Sequence, residues 1–521
     1  MIPVIDLFAG PGGLGEGFSS LRDGRGNPVF QIVLSVEKER DAHKTLRLRS
    51  YVRKLLQLDG ALPVEYMRYM ERHDEQSFEA LIGHSPALWE AAGQEALCAE
   101  LKQGDYTLAE TGRERLGACG AERTTPWVLI GGPPCQAYSI VGRARRAHDS
   151  ELDNDVKQEL YKCYLAFIEE LKPTVFVMEN VKGLLSARHK GEGLFGRICD
   201  DMRHLGYEIC SLVTDNPQSP RDYVVRAEEY GIPQKRHRVI LLGIRSEGVA
   251  RPDVLRPKKE IVLQEALAGI PRLRSDFSSR SQDMRSISWE AYVKNAAIRL
   301  ESTEEGAELA AILDRVVSAE LPTKTRAAAV TGPAGRYDGW YRGRLDGAVL
   351  VNHESRSHLA SDLDRYLFCA AYAEKYHTPA HIGDFPRALY PNHRNVQNLV
   401  EGEEMKFADR FRVQLAGAPS TTITSHIAKD GHYYIHPQPE QCRSLTVREA
   451  ARLQTFPDDY LFEGNRTAQY TQVGNAVPPL LAQQVAKVVS SYLGVEGTGF
   501  CDVLEGATAC AGEGDAGIPL F

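Results

Sequence analysis

Over the first 245 residues, short apolar runs alternate with longer helix-compatible stretches, and few architectures accept that alternation. Val4-Ile5-Asp6-Leu7-Phe8 is the first such run, and others lie at 30–36, 127–130, 174–178, 206–213 and 239–243. They are too short for helices and apolar enough for strands buried on both faces. Residues 40 to about 123 are charged and helix-prone, with breaks expected at Pro63, Gly83 and Pro86, and 160–171 forms another helix with Leu160, Tyr164, Phe167, Ile168 and Leu171 on one face. This pattern predicts an α/β fold with a doubly wound, Rossmann-like parallel sheet, in which ligands gather at the carboxyl ends of the strands. From about 250 to 440 it breaks into proline, charge and short mixed segments, read as a second, smaller and irregular domain. Order returns in a helix at 445–455, where Thr446 and Glu449 form a capping box, and in an apolar helix ending near Leu493. The expected division is 1–250, 251–465, 466–495 (a helix returning to the first domain) and an acidic, flexible tail at 496–521.

A chain of 521 residues exceeds one ordinary core. No run of about 18 apolar residues indicates a membrane span, and the first residues read as a strand, not as a signal peptide. Ten cysteines without a CxxC pair argue against a zinc site or a disulfide framework and suit a reduced, cytoplasmic compartment. A net charge of −8 does not advertise nucleic-acid binding, but its distribution can. Basic clusters occur at Arg47, Arg49, Arg53 and Lys54, at Arg143, Arg145 and Arg146, at Lys235, Arg236 and Arg238, and from Lys324 to Arg344. Taken singly, each is most often a solvated face.

Gly131-Gly132-Pro133-Pro134 ends one strand, forbids an immediate helix and mounts Cys135 at the sheet's carboxyl edge. A lone thiol is as often a small buried hydrophobe as a nucleophile, so its neighbours decide. The turn Ala9-Gly10-Pro11-Gly12-Gly13 suits a nucleotide, a phosphate or an S-adenosylmethionine (SAM), although no Gly-Lys-Ser/Thr follows as a phosphate loop requires. Glu37 closes the second strand, where an acid grips a ribose diol. Asp105 and Asp59 compete for an adenine contact. Glu179-Asn180 reaches the same edge, and Arg236 and Arg238 share one face of extended chain.

Taken in order, six motifs resemble the DNA cytosine-5 methyltransferase family, prokaryotic type. They are Asp6-Leu7-Phe8-Ala9-Gly10-Pro11-Gly12-Gly13, Gly132-Pro133-Pro134-Cys135-Gln136, Glu179-Asn180-Val181, Gln234-Lys235-Arg236-His237-Arg238, Arg448-Glu449-Ala450-Ala451-Arg452-Leu453-Gln454 and Gly474-Asn475-Ala476-Val477. The resemblance covers roughly 1–245 and 440–493, and the family's variable target-recognition domain falls at 250–440. It implies SAM held by Phe8, Gly10, Gly12, Gly13, Leu14, Glu37, Pro134, Asn475 and Ala476. It further implies Cys135 as nucleophile, Glu179 as proton donor to the base and Arg236 with Arg238 as support. Gln136, Ser139, Arg143, Arg145 and Gln234 are the expected DNA contacts, and no metal is expected. Three features depart from the pattern: a long segment between Glu37 and Cys135, Tyr138 where phenylalanine is commoner, and His237 between the arginines.

Such chemistry explains the residue types. Cytosine carbon 5 is a poor nucleophile until a thiolate adds at carbon 6, and a carboxyl group that protonates ring nitrogen 3 eases that addition. Asn180 either orients this site or makes a local turn bond. A base within duplex DNA must first be flipped out, over which the loop 139–146 closes, while the interleaved Arg336-Tyr337-Asp338-Gly339-Trp340-Tyr341-Arg342 is a candidate base reader. Competing readings are an RNA (tRNA) cytosine-5 methyltransferase, a catalytically dead DNA-binding homologue and, on the glycine turn alone, a nicotinamide oxidoreductase. The expected setting is a prokaryotic, nucleoid-associated modification enzyme beside a restriction endonuclease or another phage-defence system.

Overall fold

The computed structural model describes residues 1–120, 125–134, 160–189, 192–245, 251–279, 281, 286–323, 335–345, 350–391 and 410–510. Eight strands build one sheet: β1 (Ile2–Leu7), β2 (Phe30–Glu37), β3 (Ala96–Cys98), β4 (Val128–Gly131), β5 (Val175–Val181), β6 (Tyr207–Cys210), β7 (Val224–Arg226) and β8 (His237–Arg245). Their order is β3-β2-β1-β4-β5-β8-β6, with β7 also on β8. The first five run parallel, but β8 is antiparallel to β5, β6 and β7. The wholly parallel sheet expected from the alternation is therefore corrected at one edge. Strand direction is set by the connection from β7 through residues 227–236, which no hydrophobic period reports.

Antiparallel pairing also extends β5 beyond its apolar run. Ile240, Val239 and Arg238 lie opposite Glu179, Asn180 and Val181, so the polar Glu179 and Asn180 belong to the strand itself. Helices cover both faces. On one, α1 (Gly13–Ser20) lies against the helix Pro479–Tyr492 in a core with Val4, Phe18, Phe30, Leu480 and Val485; Phe500 and Cys501 of a further helix (Phe500–Cys510) are buried in the same core, which corrects the flexible tail expected from 496. On the other, the helix Leu160–Leu171 buries Tyr161, Tyr164, Phe167 and Ile168 against Leu129 and Phe176.

Between β2 and β3 the chain inserts α2 (Arg40–Asp59), α3 (Val64–Arg72), α4 (Glu75–His84) and α5 (Pro86–Glu95). Pro63 and Pro86 stand at helix starts, where proline is tolerated, whereas Gly83 lies inside α4 instead of breaking it. β3 itself was not legible, being a three-residue edge strand with one residue buried.

The described part of residues 251–445 is less irregular than its composition suggests. Helices Trp289–Glu301, Ala310–Ser318 and Ala360–Tyr376 form a separate core with Phe385, Phe411, Val413 and Ile435. The helix at Val447–Leu453 keeps the expected Thr446–Glu449 capping box, yet every one of its residues is buried. No described helix is long and apolar enough to cross a membrane.

Candidate active site

Three strand ends and two distant loops converge at the carboxyl edge of the sheet. Glu179 and Val181 project from the same face of β5, and Arg238 lies opposite Val181, which makes Arg238 and Glu179 diagonal cross-strand neighbours. Arg238 Nε stands 2.9 Å from Glu179 Oε1, with both side chains mostly buried. The other carboxylate oxygen abuts the turn after β4: a Cβ placed on Gly132 would lie 3.1 Å from Glu179 Oε2. Asn180 Nδ2 donates to the Pro133 carbonyl at 3.2 Å, while its Oδ1 accepts from the Val181 amide at 2.8 Å. Asn180 thus makes the local bond and also ties β5 to the Pro133-Pro134 turn. Cys135, Gln136, Ser139, Arg143 and Arg145 lie outside the described residues, and Pro134 is the last described residue before them.

The two arginines do different work. Arg236 is buried, and its Nη1 donates to the carbonyls of Ile423 at 2.9 Å and Gly474 at 3.3 Å. Burial, then the nearby positive Arg238, push its pKa down to about 9. Arg236 therefore ties the segment at Ile423 to the end of the helix Arg466–Asn475 and leaves the carboxylate to Arg238. His237, the unexplained spacer, bonds Glu228 at 2.7 Å.

Gln234 does not fit the role of DNA contact. It is fully buried, donating to the Leu453 carbonyl and Gln454 side chain and accepting from the Ile423 amide, which uses its amide group inside the protein. The basic cluster on α2 is likewise internal. Arg49 pairs with Glu16, Arg53 and Lys54 pair with Glu95, and Arg47 lies over the Trp89 ring at 4.0 Å. Nor is 336–342 a base reader: Tyr337, Trp340 and Tyr341 are buried and donate to the Gly231, Thr455 and Arg452 carbonyls. Aromatic-basic interleaving cannot distinguish a binding stripe from a core segment whose hydroxyls and indole are satisfied indoors.

The glycine-rich turn joins β1 to α1. Phe8 and Gly10 both take positive φ, near 57°, and Gly10 faces open space. Gly13 and Leu14 open α1, and a Cβ on Gly13 would meet the Val477 carbonyl at 2.2 Å, so only glycine lets the 474–477 segment, the end of the helix Arg466–Asn475 and the turn after it, approach. Within that segment Asn475 is exposed and Ala476 buried. Glu37 Oε2 accepts from the Gly10 amide at 2.8 Å and Oε1 from the Glu39 amide at 2.7 Å, an arrangement that leaves carboxylate lone pairs for a diol. Burial raises the Glu37 pKa and these amide bonds partly offset it. Asp6, assigned no role from sequence, is fully buried beneath the turn beside Gly15, and burial pushes its pKa up to about 8.

Of the two adenine candidates, Asp105 follows the edge strand β3 and accepts from the Thr107 amide at 3.1 Å. Asp59 ends the 20-residue α2, roughly 30 Å along the axis from its start near Glu37. That distance removes Asp59 from this edge. Among the described residues no group of three or more His, Cys, Asp or Glu could hold a metal ion.

Comparison with known proteins identifies the family. The family model for C-5 cytosine-specific DNA methylase matches residues 121–491. The chain is 32% identical to the Type II methyltransferase M.Bpa9945I of Bacillus paralicheniformis over 504 residues, covering 94% of this chain and 99% of that one. It is 25% identical to the Type II methyltransferase M.DdeI of Desulfomicrobium norvegicum, covering 70% and 72%. A crystal structure described as a DNA modification methyltransferase encoded within an E. coli prophage shares the fold with a TM-score of 0.53 at 18% identity, covering 95% of this chain and 100% of that one. A domain match over most of the chain and a relative aligned nearly end to end establish that the chain belongs to the C-5 cytosine-specific DNA methylase family and is a DNA (cytosine-5-)-methyltransferase.

Proposed function

We propose that the chain methylates carbon 5 of a cytosine flipped out of a specific duplex DNA sequence, with SAM as methyl donor and Cys135 as covalent nucleophile. The observation that carries this reading is the Glu179–Arg238 pair at 2.9 Å, packed against the Gly132–Pro134 turn that leads directly into Cys135. SAM supplies an electrophilic methyl group when bound. The turn around Gly10, Glu37 and the 474–477 segment fit it, with Asp105 on the adenine side.

The Cys135 thiolate adds to carbon 6 and makes carbon 5 nucleophilic. Glu179 delivers a proton to ring nitrogen 3 as the ring gains electrons, and Arg238 orients the carboxyl group and balances its charge between turnovers. Carbon 5 takes the methyl group as the sulfonium becomes a neutral thioether; a base then removes the carbon-5 proton, the electrons of that bond expel the thiolate, and ring nitrogen 3 returns its proton to Glu179. The loop 139–146, with Arg143 and Arg145, closes over the flipped base and grips phosphates, while residues 251–440, with their own helical core, form the target-recognition domain. Likeness to Type II methyltransferases along nearly the whole chain supports a role as the modification arm of a restriction-modification or phage-defence system.

Tritium transfer from labelled SAM tests the reading. Label should enter duplex DNA and not tRNA, and Cys135→Ala should end incorporation. Bisulfite sequencing of DNA from expressing cells should show one short sequence methylated, and label in tRNA alone would sink the proposal.

A further inference from the structure

We infer that Tyr460 is a positioning residue for the methyl donor, setting the cofactor turn from a point 449 residues away in sequence. This rests on the SAM reading above. Tyr460 is fully buried, and its hydroxyl donates to the Pro11 carbonyl. The amide on the other side of that same peptide, Gly12 N, donates to the Ala9 carbonyl at 2.9 Å. One peptide plane is therefore fixed at both ends, its N–H by the turn and its C=O by Tyr460.

The fixing has a purpose at this location. Gly12 has φ 98°, a region where glycine lets a peptide rotate with little steric resistance. Rotation of the Pro11–Gly12 peptide would re-aim the amides that open α1, the groups a helix start presents to a ligand. The hydroxyl also occupies the space of a side chain at position 12, since a Cβ there would lie 2.9 Å from it.

Tyr460 is in turn held rigidly. The Arg49 guanidinium stacks over its ring at 4.8 Å and makes two bonds to Glu16 on α1, at 2.5 and 2.9 Å. Arg49 Nη1 and Arg344 Nε approach Asp459 Oδ2 at 3.2 and 3.3 Å, and Tyr66 of α3 donates to the Asp459 carbonyl at 2.6 Å. The inserted helices and the segment around 459 thus meet on the back of the cofactor turn.

Titration calorimetry with SAM on the full-length wild type, Tyr460→Phe and Tyr470→Phe tests the assignment. Tyr470 is the matched control, a buried tyrosine whose hydroxyl donates to the Leu445 carbonyl at 2.6 Å instead of to the turn. Tyr460→Phe should weaken SAM binding by about 10-fold, the cost of one unmade buried hydrogen bond, and raise KM for SAM with kcat nearly unchanged at saturation. Tyr470→Phe should lower thermal stability and leave SAM affinity alone. Equal SAM affinity for wild type and Tyr460→Phe overturns the positioning role alone, as does an equal loss in both variants. A wild type that takes up no SAM overturns this role together with the cofactor reading.

Discussion

Two groups of buried arginines look alike in sequence and behave differently in the fold. At the sheet edge, Arg238 spends its guanidinium on Glu179 beside the turn that precedes Cys135. Beneath it, Arg443, Arg448 and Arg452 are almost wholly enclosed and bond structural partners. Arg443 makes a two-point pair with Glu449, Arg452 with Asp458, and Arg448 donates to the carbonyls of Val351, Pro457 and Tyr460. The first arrangement holds a carboxylate where a ligand can meet it; the second welds segments from 268 to 460 into one joint. A buried arginine thus signals function only when its carboxylate partner faces a site.

Four measurements sharpen or break this contrast. The largest effect belongs to the edge: Cys135→Ala should lower methyl transfer by about 10³-fold or more, with the melting temperature kept. The joint should respond in the opposite way. Arg452→Ala strands the buried Asp458 carboxylate and should cost about 3–5 kcal/mol of stability, read by denaturant unfolding. If Arg238→Gln destabilises the protein as much as Arg452→Ala does, the distinction between edge and joint is lost.

Acid should attack the joint third. Burial lowers the pKa of His353 to about 4 and of His436 to about 3, against 6.5 in the unfolded chain. The unfolded state then binds more protons below pH 6.5, so stability present above that value is lost as pH falls towards 4 and then 3. Glu16 adds to the same trend. Burial opposes its charge, but Arg49 pulls its pKa down to about 2, and its contribution fades below 4.5. Asp6, raised by burial to about 8, has the opposite sign: its folded form binds the extra proton, so stability falls as pH rises from 3.8 to 8. Melting temperature should therefore drop on acidification from pH 6.5 to 4, and His436→Gln should flatten that slope. The smallest effect is at Glu37, where Glu37→Gln should raise KM for SAM by about 10-fold with little change in stability.

Much of the edge was readable because its signals are local. Gly-Gly-Pro-Pro before Cys135, glycines at 10, 12 and 13 and a glutamate closing β2 each constrain the backbone within a few residues. So does the Thr446–Glu449 capping box. Other features hide from such reading. The three-residue strand β3 carries no period, and the helix Ala360–Tyr376 sits in a region whose composition suggested irregular chain. The direction of β8 depends on a connection, not on its own apolar residues.

Sequence alone therefore determined the ordered motifs and the α/β alternation, since strand, turn and cap preferences act over short distances. Tertiary structure decided which charged and polar residues face a ligand. Gln234, Arg49 and the 336–342 stretch turned inward because partners more than 30 residues away satisfy them, as Leu453 does Gln234 and Glu16 does Arg49. Burying a polar group costs free energy unless such a partner is present, and only the folded chain supplies it.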